Sequence, residues 1–274
     1  MKIIKFFSIV AIIIATMSTS TIVKAQTPAA PYGEVTFVQV YPGMNDSYLA
    51  ANKIVKKVNN NLKTAKAIST WQLYKRVYPV HGSSDFNFAT FVVYASGKEM
   101  QALRDPSNYD AAAKELTTKE HQASLGTLPS IRTVVDRDLY TFRMGAGTAG
   151  SAKAGDYVVL TRVKATAGNI DAYEKMLETV KPAIEEAIKA GKLKSWNVWK
   201  RTLATNIDGA SDFTVGFSFS NMDDALAYAS DKVNIAAEFK KVYPKDDYTT
   251  FRAKQVTLRE VVAQELWELV DITD

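Results

Sequence analysis

The stretch Thr70-Trp71-Gln72-Leu73-Tyr74-Lys75-Arg76 returns 125 positions later as Ser195-Trp196-Asn197-Val198-Trp199-Lys200-Arg201. Outward from the two tryptophans the match continues without a gap: Val38 aligns with Val163, Gly43 with Gly168, Asp46 with Asp171 and Tyr48 with Tyr173. One half of the chain is a copy of the other, so the local structure of one half predicts that of its partner.

Each copy opens on a β-branched, alternating stretch, 34–40 in the first, which predicts a strand. Residues 42–46 hold Pro42, Gly43 and Asp46, a turn ending in a helix cap. The following helix lines up Tyr48, Leu49, Ile54, Val55, Val58 and Leu62 on one stripe. Its copy lines up Tyr173, Met176, Leu177, Val180, Ile184 and Ile188, with Gly191 as a stop and Pro182 predicting a kink or break. Tyr48 and Tyr173 read as stripe residues covering a sheet.

Two strands follow in each copy, 70–78 with 86–94 and 195–203 with 213–220. The hairpin between them carries Ser84-Asp85-Phe86 in one copy and Ser211-Asp212-Phe213 in the other, an offset of 127, read as two residues inserted in that loop. The recurring Asp there reads as Asx-turn chemistry. A second helical region (98–103 with 109–116; 223–228 with 233–239) precedes a closing strand, 131–140 against 258–267. The order is β-α-β-β-α-β, the split βαβ or ferredoxin-like unit. Its sheet has helices on one face and needs cover on the other, which the second copy supplies. The fold class is α+β: two ferredoxin-like βαββαβ modules packed sheet to sheet as an intramolecular α/β barrel with a cavity between them.

The chain divides into a signal peptide (1–25), a short lead-in (26–33), the first module (34–143), a Gly/Ala-rich linker (144–155) and the second module (156–274). Lys2 and Lys5, an apolar run too short to cross a bilayer and a small-residue end give the first 25 residues the pattern of a secretory leader. An extracytoplasmic location, periplasmic or secreted, follows as an expectation. Of 34 Lys and Arg against 29 Asp and Glu, Lys2, Lys5 and Lys24 fall in that leader, so the net charge drops from +5 to +2 without it. Near-neutrality argues against a nucleic-acid or anionic-membrane partner. With no cysteine, disulfides, thiolate metal sites and cysteine nucleophiles are excluded, and stability rests on the core.

The duplicated strand-PG/AG-helix opening (Pro42-Gly43 through Tyr48, Ala167-Gly168 through Tyr173), the Trp-containing second strands and the strand order resemble the dimeric α/β-barrel superfamily. Within it, antibiotic-biosynthesis-monooxygenase-like and NIPSNAP-like domains look most similar. The resemblance implies a cavity between two sheets and, among the activities found there, cofactor-independent oxygenation or isomerisation, and haem binding or degradation.

Strand alternation puts Trp71, Leu73, Lys75 and Val77 on one face and Gln72, Tyr74, Arg76 and Tyr78 on the other. The matching second-copy sets are Trp196, Val198, Lys200 and Thr202, and Asn197, Trp199, Arg201 and Leu203. The face holding Gln72, Tyr74, Arg76, Tyr78, Asn197, Trp199 and Arg201 mixes rings, amides and guanidinium groups, which suits a planar or anionic organic ligand. Packing is the competing reading, with aromatics filling the interface and Arg76 and Arg201 paired to carboxylates such as Asp138 and Glu265. His81 and His121 have no counterparts in the second copy and no ligand spacing, so no metal and no cofactor are expected. No catalytic residue is assigned. The functions left open are binding of a small aromatic or anionic organic molecule by a monomeric pseudo-dimer, cofactor-independent oxygenation or isomerisation of an aromatic substrate, and a non-catalytic interaction module.

Overall fold

Eight antiparallel strands close on themselves in the order β1-β3-β2-β8-β5-β7-β6-β4. The computed structural model describes residues 30–79, 86–105, 111, 119–148, 150–204 and 211–274. The first copy runs β1 (Tyr32–Val40), α1 (Asn45–Thr64), β2 (Thr70–Pro79), β3 (Phe88–Tyr94), α2 (Gly97–Ala102), α3 (Lys119–Ile131) and β4 (Arg132–Gly147). The second runs β5 (Tyr157–Ala165), α4 (Ile170–Lys189), β6 (Ser195–Ala204), β7 (Phe213–Phe219), α5 (Met222–Ala229), α6 (Ala236–Val242), α7 (Tyr248–Leu258) and β8 (Arg259–Ile272).

Within each copy the sheet has the ferredoxin-like order, β4-β1-β3-β2 and β8-β5-β7-β6, as the duplicated pattern predicts. The copies join at their edges through two ladders, β2 with β8 and β4 with β6. Those edges would otherwise expose unpaired backbone groups. The sheets therefore curve around a shared lumen and carry their helices outside.

The outer layer holds most of the core. Trp71 and Leu73 pack beneath α1 against Tyr48, Val58 and Leu62, and Trp196 and Val198 pack beneath α4 against Tyr173 and Leu177. Each fully buried aliphatic side chain contributes about 1.5–3 kcal/mol. The Tyr48 ring lies 4.9 Å from Phe88, and the Tyr173 ring 5.3 Å from Phe213.

Phe213 thus corresponds to Phe88, which corrects the expected Phe86 match. Val38 pairs with Phe88 and Val163 with Phe213, so the 125-residue offset persists through the third strand. It is still 125 at Ser96 and Asn221, the side-chain caps of α2 and α5. The two extra residues therefore enter later, in the second helical region. Nor is Asp212 closing a local turn: its Oδ2 accepts from the Ala165 N–H at 2.8 Å, as Asn87 Oδ1 accepts from Val40 at 2.9 Å. Both clamp the end of a neighbouring strand. Ser84 and Asp85, and the predicted helix at 109–116 apart from Ala111, lie outside the described residues.

Other expectations shift. Of the kink or break expected at Pro182, the break does not occur: helix α4 continues from Ile170 to Lys189. Its buried stripe, including Val180, Ala183 and Ile184, spans the proline, so packing on the sheet offsets one missing hydrogen bond. Asp46 sits in the first turn of α1 while Met44 occupies the cap position without a side-chain bond.

The expected linker begins inside β4, where Gly145, Ala146 and Gly147 pair with Asn197, Trp196 and Ser195. Its glycines serve close approach. A Cβ on Gly145 would stand 2.8 Å from Asn197 Oδ1, and Gly147 adopts φ +114° with Ser195 Cβ 2.8 Å from the same hypothetical atom.

Candidate functional site

The lumen encloses a cavity of about 280 Å³ with lining residues on all eight strands. Strand register arranges most of those side chains in three rows, and the duplication lets each row be compared with its copy. The first row is Phe37–Ala89–Tyr74 in copy one and Arg162–Thr214–Trp199 in copy two. The second is Val35–Phe91–Gln72 against Leu160–Gly216–Asn197. The third is Gly33–Val93–Thr70 against Val158–Ser218–Ser195.

The two walls have diverged. Along its third strand copy one presents Ala89, Phe91 and Val93, whereas copy two presents Thr214, Gly216 and Ser218. Phe91 meets Trp199 edge-on at 5.0 Å between ring centroids, and Trp199 is also 5.1 Å from Phe142. These rings reach the backbone at Gly33, where a Cβ would lie 2.4 Å from Phe91 and 3.0 Å from Trp199. Gly216 opposite leaves room, since a Cβ there meets only Val158 at 3.5 Å and Leu160 at 3.7 Å.

Alternation leaves open which face meets the lumen, and the fold turns the candidate face inward. Gln72, Tyr74, Asn197 and Trp199 line the cavity. Tyr74 donates to Gln72 Oε1 at 2.9 Å, and burial, with the Asp156 charge adding to it, pushes the Tyr74 phenol up. Arg76, Arg201 and Tyr78 are not among the lining residues. Arg76 stacks on Phe86, its guanidinium carbon 4.7 Å from the ring centre. Arg201 Nε faces Asp138 at 3.7 Å, the pairing the packing alternative anticipates. Tyr78 is largely exposed beyond a bulge in β2.

The arginine that lines the cavity is Arg162, where copy one has Phe37. Its guanidinium stacks on Phe37 at 4.7 Å, and Nη2 reaches Glu265 Oε2 at 3.3 Å. Glu265 also accepts from Trp267 Nε1 at 3.0 Å. The same carboxylate-aromatic pair recurs in copy one, with the Tyr140 hydroxyl donating to Asp138 Oδ2 at 2.9 Å. Burial raises the Asp138 carboxyl above its ordinary range against the pull of Arg201 and the Tyr140 hydrogen bond. Burial and the adjacent Asp138 likewise raise the Tyr140 phenol, which faces the cavity. A phenol held by a buried carboxylate can hand its proton inward as it accepts one from a ligand. Alternation on β5 carries the sequence signal for Arg162, placing it after Val158 and Leu160 and before Lys164 on one face.

Among the described residues no group of three His, Cys, Asp or Glu side chains could hold a metal ion. His81 and the side chain of His121, on α3, lie outside those residues. Also among them, no helix is long and apolar enough to cross a membrane.

Comparison of the sequence with protein families and with functionally described proteins finds no match. Solved structures do match. A protein named as a candidate monooxygenase from Fusobacterium nucleatum superposes with a TM-score of 0.52 at 13% identity, covering 90% of this chain and 96% of that one. An anthrone oxidase-like protein gives 0.50 at 12%, covering 90% and 93%. A second candidate monooxygenase, from Lactobacillus acidophilus, gives 0.50 at 8%, covering 89% and 96%. What is shared is the fold. Two ferredoxin-like sheets close into one barrel, and one polypeptide supplies both halves.

Proposed function

We propose that this protein binds a small aromatic molecule inside its barrel. The observation that carries the reading is the asymmetric cavity of about 280 Å³, into which β3 turns Ala89, Phe91 and Val93 and β7 turns Thr214, Gly216 and Ser218. Ligand pockets run from about 300 to 1,000 Å³, so the size suits one or two fused rings. Rings stacked near Phe91 and Trp199 would gain apolar burial while Gln72, Asn197 and Arg162 fix orientation. The test is a thermal-shift screen of one- and two-ring aromatics against the protein and Gly216→Leu, which fills the cavity. Raised Tm in the parent alone supports binding; no shift, or equal shifts in both, refutes it.

A second reading, cofactor-independent oxygenation or isomerisation, draws on the Tyr140–Asp138 couple. Such a reaction starts when a substrate proton leaves. Tyr140 would accept that proton and pass its own to Asp138, leaving an anion on the ring system. The names of the matching structures, two candidate monooxygenases and an anthrone oxidase-like protein, support an oxygenase reading. Oxygen uptake with a bound phenolic ligand, lost in Tyr140→Phe while binding persists, is the expected result. Residues 1–25 support export of a monomeric protein; a mature N-terminus near residue 26 in a secreted or periplasmic fraction and a monomer mass by light scattering test this.

A further inference from the structure

Arg162 and Thr214 face each other across the β5–β7 ladder. Directly opposed residues hold their Cβ atoms about 4.5–5.5 Å apart on one face, and both side chains line the cavity. Arg162 Nε is buried with no hydrogen-bond partner in the protein, and the Thr214 Oγ1 beside it has none beyond the Tyr140 phenol that it faces. Thr214 is 8% exposed. A buried cationic donor without an acceptor is costly, and copy one has the apolar alternative, Phe37 and Ala89, at the equivalent positions.

We propose that Arg162 and Thr214 form a carboxylate subsite, so that the ligand is a small aromatic acid whose ring lies between Gly216 and the Phe91–Trp199 pair. The proposal rests on the lumen being a ligand site and adds the ligand's charge and orientation. One carboxylate oxygen accepts from Arg162 Nε–H and Thr214 Oγ1–H together. The guanidinium is preset for this: Phe37 supports its plane, and Glu265, itself held by Trp267 Nε1, fixes Nη2. Glu265 also repels an incoming anion. Its charge is already shared by Arg162 and the indole N–H, and the free Nε edge is the part of the cation left for a ligand. The mirrored positions in copy one, Phe37 and Ala89, offer no such donors, so the acid binds in a single orientation despite the pseudo-symmetric barrel.

The experiment is calorimetric titration of the full protein with benzoate and with its neutral counterparts benzamide and benzyl alcohol. Benzoate should bind at least about tenfold more tightly than either, the factor expected for hydrogen bonds to a charged group. Thr214→Val, which removes the hydroxyl without changing shape, should reduce that preference several-fold. Arg162→Met should abolish it, and circular dichroism verifies that each variant is folded. Equal binding of benzoate and benzamide, or a preference that survives both substitutions in folded protein, overturns the carboxylate subsite but leaves the lumen a ligand site. Binding of none of the three probes overturns both.

Discussion

Along their first and third strands and main helices the two copies carry their polarity in opposite places. Copy two turns Arg162, Thr214 and Ser218 from those strands into the lumen and buries Leu177 and Ile184 beneath its main helix. Copy one turns Phe37, Ala89 and Phe91 from the same strands into the lumen and buries Asn52 and Asn59 beneath its helix where those leucine and isoleucine residues stand in the copy. Each asparagine amide donates to a carbonyl of its own helix, Asn52 to Tyr48 and Asn59 to Val55, at 2.8 Å. A second space of about 420 Å³, lined by Trp71, Asn52 and Asn59 among others, lies in this layer. A duplicated fold can thus assign tight packing and ligand-facing groups to one copy, since a rigid layer behind a site holds its side chains in place.

That contrast can be broken by mutation, most severely at the paired tryptophans. Trp196→Ala should cost about 5 kcal/mol and Trp71→Ala about 3 kcal/mol, both within the usual span for such truncations, because Trp71 already borders open space. Urea unfolding midpoints measure the difference, and equal costs would remove the claim that copy one is looser. A reciprocal exchange comes next. Leu177→Asn should destabilise by about 3 kcal/mol, whereas Asn52→Leu should be neutral or stabilise by up to about 1 kcal/mol, since a self-bonded buried amide adds little. Were Asn52→Leu as damaging as Leu177→Asn, the asparagines would be structural keystones.

The smallest effect concerns an ion pair that only copy two has. Lys192 reaches Glu238 at 2.8 Å, and Ala67 occupies the position equivalent to Lys192. Burial alone would raise the Glu238 carboxyl, yet the hydrogen bond and charge of Lys192 hold it below the ordinary carboxylate range. A carboxylate with a lowered folded-state pKa contributes stability above its unfolded pKa, about 4.3 for Glu. That stability is lost as pH falls through the folded value. Melting from pH 7 to pH 3 should show this decline, and Glu238→Gln should flatten it by no more than about 1 kcal/mol, given how exposed the lysine is.

Most of the architecture was legible because duplication doubles every signal. Trp71 and Trp196 set the alternation, and the face opposite them is the one that lines the lumen. Matched residues point away from part of the site: Arg76 and Arg201 correspond between the copies, whereas Arg162 stands where copy one has Phe37. Divergence between copies, rather than agreement, marks where the cavity became specific. Asp138 and Glu265 were recognised as partners for arginine, but register alone could not show that Glu265 belongs to Arg162. The Gly145–Gly147 segment misled for a physical reason: small residues that allow two strands to touch have the same composition as a flexible tether.

Strand β8, the last of the eight in the chain, lies between β2 of copy one and β5 of its own copy, and it carries both Glu265 and Trp267. Its ladder with β2 joins residues separated by nearly the whole barrel sequence. Such contacts bring little reward until most of the chain is in place, which slows folding. During synthesis the edge of β2 therefore waits uncovered, and the lumen has neither a closed wall nor an oriented Arg162. The cavity is a late product of folding, and a chain stopped short of β8 would contain two nearly complete sheets with no interior.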